Sequence, residues 1–216
     1  MTKGVDLTMS NKIKKTVSKL NKKEQREGET FVSKEGCVFF IKTYNSNRDV
    51  IAKFKDEHGA EVHTTYQNCQ NGEIKNPYFR ILCGVGYLGL YSDGSKPTTK
   101  IKGRNTREYN LWVNMINRCY SGNYPTYENV TVCERWLCFA NFLEDLSKIE
   151  NYEWWLANPN QRIALDKDIK QKGIEHKVYS VETCKFVSAS ENINEVHERN
   201  KEIEEVKEDL VLGIVA

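Results

Sequence analysis

No apolar run in the sequence approaches the length of a bilayer span, and the N-terminus lacks the apolar stretch of a secretory signal. A membrane partner is therefore not expected, and the chain is read as cytoplasmic. There is also almost no net charge: 32 Lys and Arg against 30 Asp and Glu leave +2. The total says little about partners, so the distribution has to be read instead. The seven cysteines are an odd number with no CxxC pair among them. In a reducing compartment that argues against a disulfide scaffold and leaves buried thiols or zinc ligands.

At 216 residues with 39% apolar and 11% aromatic content, the chain can bury a core as one large domain or two small ones. Residues 1–27 carry eight Lys and Arg against three acids, while 195–209 carry seven acids against three basic residues. The first stretch reads as a basic helical leader with Ile13, Val17 and Leu20 on a narrow stripe. Residues 28–83 read as a small β-rich module with strands at 37–43, 50–54 and 61–66, separated by turn residues. Three such strands make a small sheet or SH3-like barrel. Its Lys42, Arg48, Lys53 and Lys55, with Tyr44 and Tyr66, are either a nucleic-acid contact or a solvated face.

Residues 84–107 read as a glycine-rich, basic linker. Gly84, Gly86 and Gly89 fit G-x-G-x-x-G, but no helix follows, so a dinucleotide site is rejected. The stretch then collects Lys96, Lys100, Lys102, Arg104 and Arg107 without an acid. These five are the expected nucleic-acid contacts, because Lys and Arg release counterions where they meet phosphate.

From 108 to 216 the pattern is helical and then ββα. Tyr109, Trp112, Val113, Ile116 and Cys119 share one helical face, and a second helix is expected over 134–149. Residues 150–161 read as a loop in which Trp154 and Trp155 offer a partner contact. Residues 163–169 alternate as a strand, 183–187 as another, and a helix opens with Ser188 and Glu191 as a capping box. The helix places Ile193, Val196 and Ile203 roughly on one face. Strict alternation would put Asp166 and Asp168 on one side of the strand and Lys167 on the other.

The runs LDKDI, YSVETCKFVSASEN and RCYSGNYPTYENVTVCERWLCFANF resemble a group of phage-encoded HNH-type (ββα-metal) endonuclease relatives. An SK-x-G start, a TTY-x-N strand and a G-x-IKNPY exit in the leader module resemble the same group. The resemblance implies an α+β protein with an HNH-like C-terminal module, double-stranded DNA as partner, and Mg or Mn held by Asp166, Asp168 and Asn192. Members often carry a further DNA-binding domain of the ethylene-response-factor type after this module; with the chain ending in LVLGIVA, that domain is not expected here. The motif's general-base His is replaced within Asp166-Lys167-Asp168, and a lysine of ordinary pKa, about 10.4, is charged at neutral pH and cannot accept a proton.

The expected site is thus Asp166, Lys167, Asp168 and Asn192, with His176 a remote candidate for a displaced base and His197 poorly placed beside Asn192. Two functions follow. One is a DNA-binding protein related to metal-dependent endonucleases, able to nick or cleave if the site works. The other is an inactive nuclease derivative that inhibits a host protein or nucleoprotein complex as a counter-defence, using the acidic helix and the Trp pair. Separately, Cys119, Cys133, Cys138 and Cys184 are the candidates for a structural zinc, set against buried thiols.

Overall fold

Alternating buried and exposed residues build the first sheet. In the computed structural model of the protein, which describes residues 22–214, strands β1 (Thr30–Val32), β2 (Val38–Ser46), β3 (Asp49–Phe54) and β4 (Glu61–Thr64) form an antiparallel sheet in sequence order. Phe39 and Ile41 of β2 and Val50, Ala52 and Phe54 of β3 point into one core. Helix α1 (Tyr66–Gln70) closes that core with Cys69, and Thr65 caps it by accepting from the Asn68 N–H at 3.2 Å. Three of the strands lie where alternation places them. The fourth, β1, is three residues long and was not expected; it pairs with Val38–Phe40.

The chain divides into two compact units, Met1–Phe79 and Arg80–Ala216. The boundary falls ahead of the expected one at 83/84, and the stretch 84–107 belongs to the second unit instead of linking the two. Leu82, Val85 and Leu88 pack on the second core. Tyr87 donates to the Leu137 carbonyl at 3.0 Å and accepts from the Phe139 N–H at 2.9 Å. Gly89 is required there: it is left-handed (φ 68°), and a Cβ at its position would run into the Cys138 sulfur. The expected leader helix lies largely outside the described residues, which begin within it.

The second unit starts with a hairpin, β5 (Lys100–Ile101) and β6 (Arg104–Asn105), whose two turn residues Lys102 (φ 49°) and Gly103 (φ 79°) are both left-handed. That is the backbone of a tight two-residue turn. Helix α2 (Arg107–Tyr120) follows, capped by Thr106, with Trp112, Met115 and Ile116 buried. The helix expected over 134–149 is broken. A 3-10 turn over Glu134–Leu137 gives way at Cys138 to extended backbone, where the chain pairs with Tyr87, and α3 (Phe139–Leu146) starts afresh. The expected loop 150–161 contains a short helix, α4 (Tyr152–Ala157).

Strand β7 (Val130–Val132) pairs in parallel with β9 (Lys177–Tyr179), and β8 (Ile163–Asp166) pairs antiparallel with β10 (Lys185–Ser188). Helix α5 (Ala189–Ile214) packs against the β8–β10 pair to complete a ββα arrangement. Its capping box forms as read from the sequence: the Ser188 N–H donates to Glu191 at 3.0 Å and the Glu191 N–H to the Ser188 hydroxyl at 3.1 Å. The α+β class is thus realised in both units. Among the described residues no helix is long and apolar enough to cross a membrane.

The core of this unit is aromatic: Trp112, Trp136, Phe139, Phe142, Trp155 and Phe186 are all buried. The Trp112 indole N–H donates to the Trp136 carbonyl at 2.7 Å, and Trp155 stacks on Phe186 with ring centres 5.0 Å apart. Under this layer lies Asp145, 3% exposed, accepting from Arg135, Lys148 and the Trp136 indole. Burial alone would raise its pKa, but these three donors outweigh that and hold it below the ordinary carboxylate value.

Candidate functional site

Strand β8 ends where a side chain captures the backbone. Asp166 accepts from the Ile169 N–H at 2.9 Å, and the chain turns into a 3-10 segment, Ile169–Gln171. The strand therefore stops at Asp166 and does not run to Ile169. Gln171, buried, holds the turn shut: its amide donates to the Lys167 carbonyl at 2.8 Å and the Val178 carbonyl at 3.0 Å, and accepts from the Val178 N–H at 3.0 Å. With Asp168 in helical backbone (φ −84°, ψ −39°), alternation no longer applies. The expectation that Lys167 points away from the two acids is overturned. Asp166, Lys167 and Asp168 line one cavity.

That cavity holds about 530 Å³ between the β8 end, the 125–130 loop and one face of α5. Asp166 and Lys167 are each 4% exposed. The Lys167 ammonium donates to Asp168 Oδ2 at 2.8 Å and lies 4.6 Å from the Tyr127 ring centre and 5.5 Å from that of Tyr179. Lys177 donates to Asp168 Oδ1 at 2.6 Å, and Arg199 reaches the same oxygen at 3.5 Å and Glu195 at 3.5 Å. The face that α5 turns inward is Asn192, Glu195, Val196 and Arg199, a polar stripe at helical spacing. Ile193, expected on the packed face, is exposed, and the side chain of Ile203 lies outside the described residues.

The two carboxylates diverge electrostatically. Burial pushes Asp166 up, with the nearby Asp168 charge adding to it. Burial pushes on Asp168 too, but the hydrogen bonds from Lys167 and Lys177 win and hold it low. Asp168 is thus the ionised partner of two ammonium groups.

This donor set does not fit a divalent metal. Hard cations take ionised carboxylate oxygens, yet an ammonium group already sits on each oxygen of Asp168, where its charge repels a cation, and Asp166 spends one oxygen on Ile169. Asn192 does line the cavity, as expected. His176 and His197 are exposed and stand outside its lining. Among the described residues no group of three or more His, Cys, Asp or Glu side chains is arranged to hold a metal ion.

The four cysteines proposed for zinc sit on separate elements: Cys119 in α2, Cys133 before the 3-10 turn, Cys138 at the head of α3, Cys184 before β10. All seven cysteines are free thiols. Burial pushes Cys133 and Cys138 up, Cys119 to about 11 and Cys184 to about 12, as it does for thiols packed among apolar side chains.

The expected DNA contacts divide. Lys96, Lys100, Lys102 and Arg104 are exposed on or beside the β5–β6 hairpin. Among the described residues none of these four is in an ion pair. Arg107 is engaged in the fold: it lies 4.1 Å over the Trp155 ring and donates to the Trp155 carbonyl at 3.1 Å. Trp155 is buried, so of the expected Trp pair only Trp154 retains some exposure.

In the first unit Lys42 and Lys53 are both paired with Glu61, and Arg26 covers the Tyr66 ring at 3.5 Å. One carboxylate thus serves two lysines, and Arg48 and Lys55, both exposed, are in no ion pair among the described residues.

Sequence reasoning did not single out Arg118, Tyr127, Lys177, Tyr179, Glu195 or Arg199. The Asn192–Glu195–Arg199 spacing was the one local signal for them. No family model, curated protein or solved structure matches the chain.

Proposed function

We propose that the protein binds double-stranded DNA on a ββα scaffold like that of HNH endonucleases, without metal-dependent cleavage. The observation that carries this reading is the β5–β6 hairpin. It projects Lys100, Lys102 and Arg104, none of them in an ion pair among the described residues, with Lys96 beside it and Ile101 exposed at 62%. A two-stranded ribbon is one of the shapes the major groove admits, and three cations on so small an element meet phosphates on either side of it. Loss of hydrolysis is supported by the lysine–aspartate–lysine arrangement, which occupies the carboxylate a metal needs.

The test is duplex binding as a function of salt, with a Lys100→Gln/Lys102→Gln/Arg104→Gln variant beside the native chain. The log–log slope is expected to flatten by roughly 2–3 in the variant, about 0.9 for each phosphate that is no longer neutralised. Supercoiled plasmid with Mg²⁺ or Mn²⁺ is expected to stay supercoiled. An unchanged slope removes the hairpin from the interface; nicking that disappears in Asp168→Ala reinstates the metal reading. A chain that binds no duplex at low salt turns attention to an inhibitor of a host protein or nucleoprotein complex.

A further inference from the structure

The β5–β6 hairpin sorts its side chains onto two faces. Across the strands Lys100 stands opposite Asn105 and Ile101 opposite Arg104, and successive residues of a strand point to opposite sides. One face therefore carries Lys100 and Asn105, and the Asn105 amide is tethered to α2, donating to Asn110 Oδ1 at 3.1 Å. The other carries Ile101, 62% exposed, beside Arg104, which is exposed and in no ion pair among the described residues. At the tip Lys102 holds left-handed backbone (φ 49°), which glycine or asparagine adopts at lower cost. The turn gains nothing from a lysine there, whereas contact with a polyanion does.

Phosphates attract the cations of this element but give an isoleucine nothing to pack on. Base edges in the major groove suit both residues of the outer face. The fork of an arginine bonds guanine O6 and N7 together, and an apolar side chain packs on the C5 methyl group of thymine. Groove width selects the same place. Two strands about 4.8 Å apart, with side chains on both sides, fit a major groove about 12 Å wide and not a minor groove about 6 Å wide. Opposed Cβ atoms lie about 5 Å apart and successive base pairs about 3.4 Å, so Ile101 and Arg104 reach neighbouring pairs.

We propose that Ile101 and Arg104 read sequence: Arg104 takes a guanine, and Ile101 the C5 methyl group carried by the adjacent base pair. Lys96, Lys100 and Lys102 hold the phosphates. This role rests on the duplex reading above and adds to it what the duplex contains, a guanine beside a thymine or a 5-methylcytosine. Double-stranded RNA is excluded, because uracil lacks the methyl group and the narrow A-form major groove is closed to side chains. With Arg104 on a base, the salt slope of the triple variant changes by about 2, the lower end of its range.

The test is fluorescence anisotropy of the full chain with short duplexes at one fixed salt concentration. The native chain is expected to bind alternating T-G repeats about fourfold more tightly than U-G repeats, the effect of burying one methyl group. It is expected to bind them about tenfold more tightly than alternating A-T repeats, which keep the methyl groups but lack guanine. Ile101→Ser is expected to abolish the preference for T over U while leaving the U-G affinity unchanged. Arg104→Gln is expected to abolish the preference over A-T, and Lys102→Gln to weaken all three duplexes alike. All three positions are exposed, so each variant keeps the fold.

Alternating C-G repeats with and without C5 methylation separate the two sources of the methyl group. Tighter binding on methylation shows that the methyl is read on either pyrimidine; no change, with T still preferred over U, assigns it to thymine. The proposal is overturned if T-G and U-G repeats bind alike, or if Ile101→Ser retains the preference. Equal affinity for every repeat leaves the duplex reading standing and removes the reading pair; no binding to any of them at low salt removes both.

Discussion

Neutralising Asp168 and neutralising Lys167 are expected to have unequal effects, and the inequality separates an ion-paired site from a metal site. In Asp168→Asn the Lys167 ammonium, 5% exposed, loses its ion pair and keeps the rings of Tyr127 and Tyr179 and the longer-range charge of Asp166. Stranding a buried charge costs about 3–5 kcal/mol, and cation–π contact returns roughly 1 kcal/mol of it, leaving a loss of about 2–4 kcal/mol. In Lys167→Met the Asp168 carboxylate still has Lys177 at 2.6 Å and Arg199 at 3.5 Å, and the apolar stem is kept. The missing hydrogen bond, about 1.5–3 kcal/mol, is largely offset because no ammonium has to be desolvated; a net loss of about 0–1.5 kcal/mol remains. All four tryptophans, Trp112, Trp136, Trp154 and Trp155, fall within the unit Arg80–Ala216. Urea unfolding followed by tryptophan fluorescence therefore reads this unit alone. The gap between the variants corresponds to a melting shift on the order of 5–10 °C. A carboxylate waiting for a metal behaves oppositely: neutralising it relieves repulsion and stabilises the metal-free chain. If Asp168→Asn unfolds at the same or higher urea than the native chain, or if Lys167→Met costs as much, the ion-pair account is wrong.

The other expectations concern Asp145 and the thiols. Because the folded state holds the Asp145 pKa below its unfolded value of about 3.9, its contribution is fully present above that value. It is lost as pH falls through the folded value, so Asp145→Asn is expected to remove a drop in melting temperature below about pH 4. A variant with the same acid profile as the native chain shows that another group carries it. For the thiols, Cys184 at about 12 and Cys119 at about 11 are expected to resist alkylation at pH 8 in the native state. Exposed Cys83 is expected to react first. Mass spectrometry of the modified chain reads the order, and early modification of Cys184 contradicts the burial described.

How far the sequence carried the fold depended on whether each signal was local. Strands β2 and β3, the capping box of α5 and the ββα order all follow from alternation and capping residues that act on their immediate neighbours. The misreadings arose where one remote contact overrode a local pattern. Glycine density suggested a linker at 84–107, but Leu82, Val85 and Leu88 have a core to pack on and Tyr87 has a strand-like partner at Cys138. The same pairing breaks the helix expected over 134–149. At the site, Asp166 and Lys167 were legible as unusual, but alternation failed one residue too soon because the Asp166 side chain bonds the Ile169 N–H. The partners of Lys167 come from Tyr127 and Tyr179, positions whose convergence no local pattern encodes.

The strand pairs of the second unit are interleaved. β8 lies in sequence between the partners β7 and β9, and β9 lies between the partners β8 and β10. Neither pair is nested inside the other, so each closes a loop that contains one strand of its counterpart. Chain entropy has to be spent on both closures before either is rewarded in full. Opening one pair frees the segment that anchors the other, and no cut between Val132 and Lys185 leaves both intact. The unit is thereby built to unfold as a whole, with the amides of β7 and of β10 exchanging at a common rate despite the distance between them along the chain.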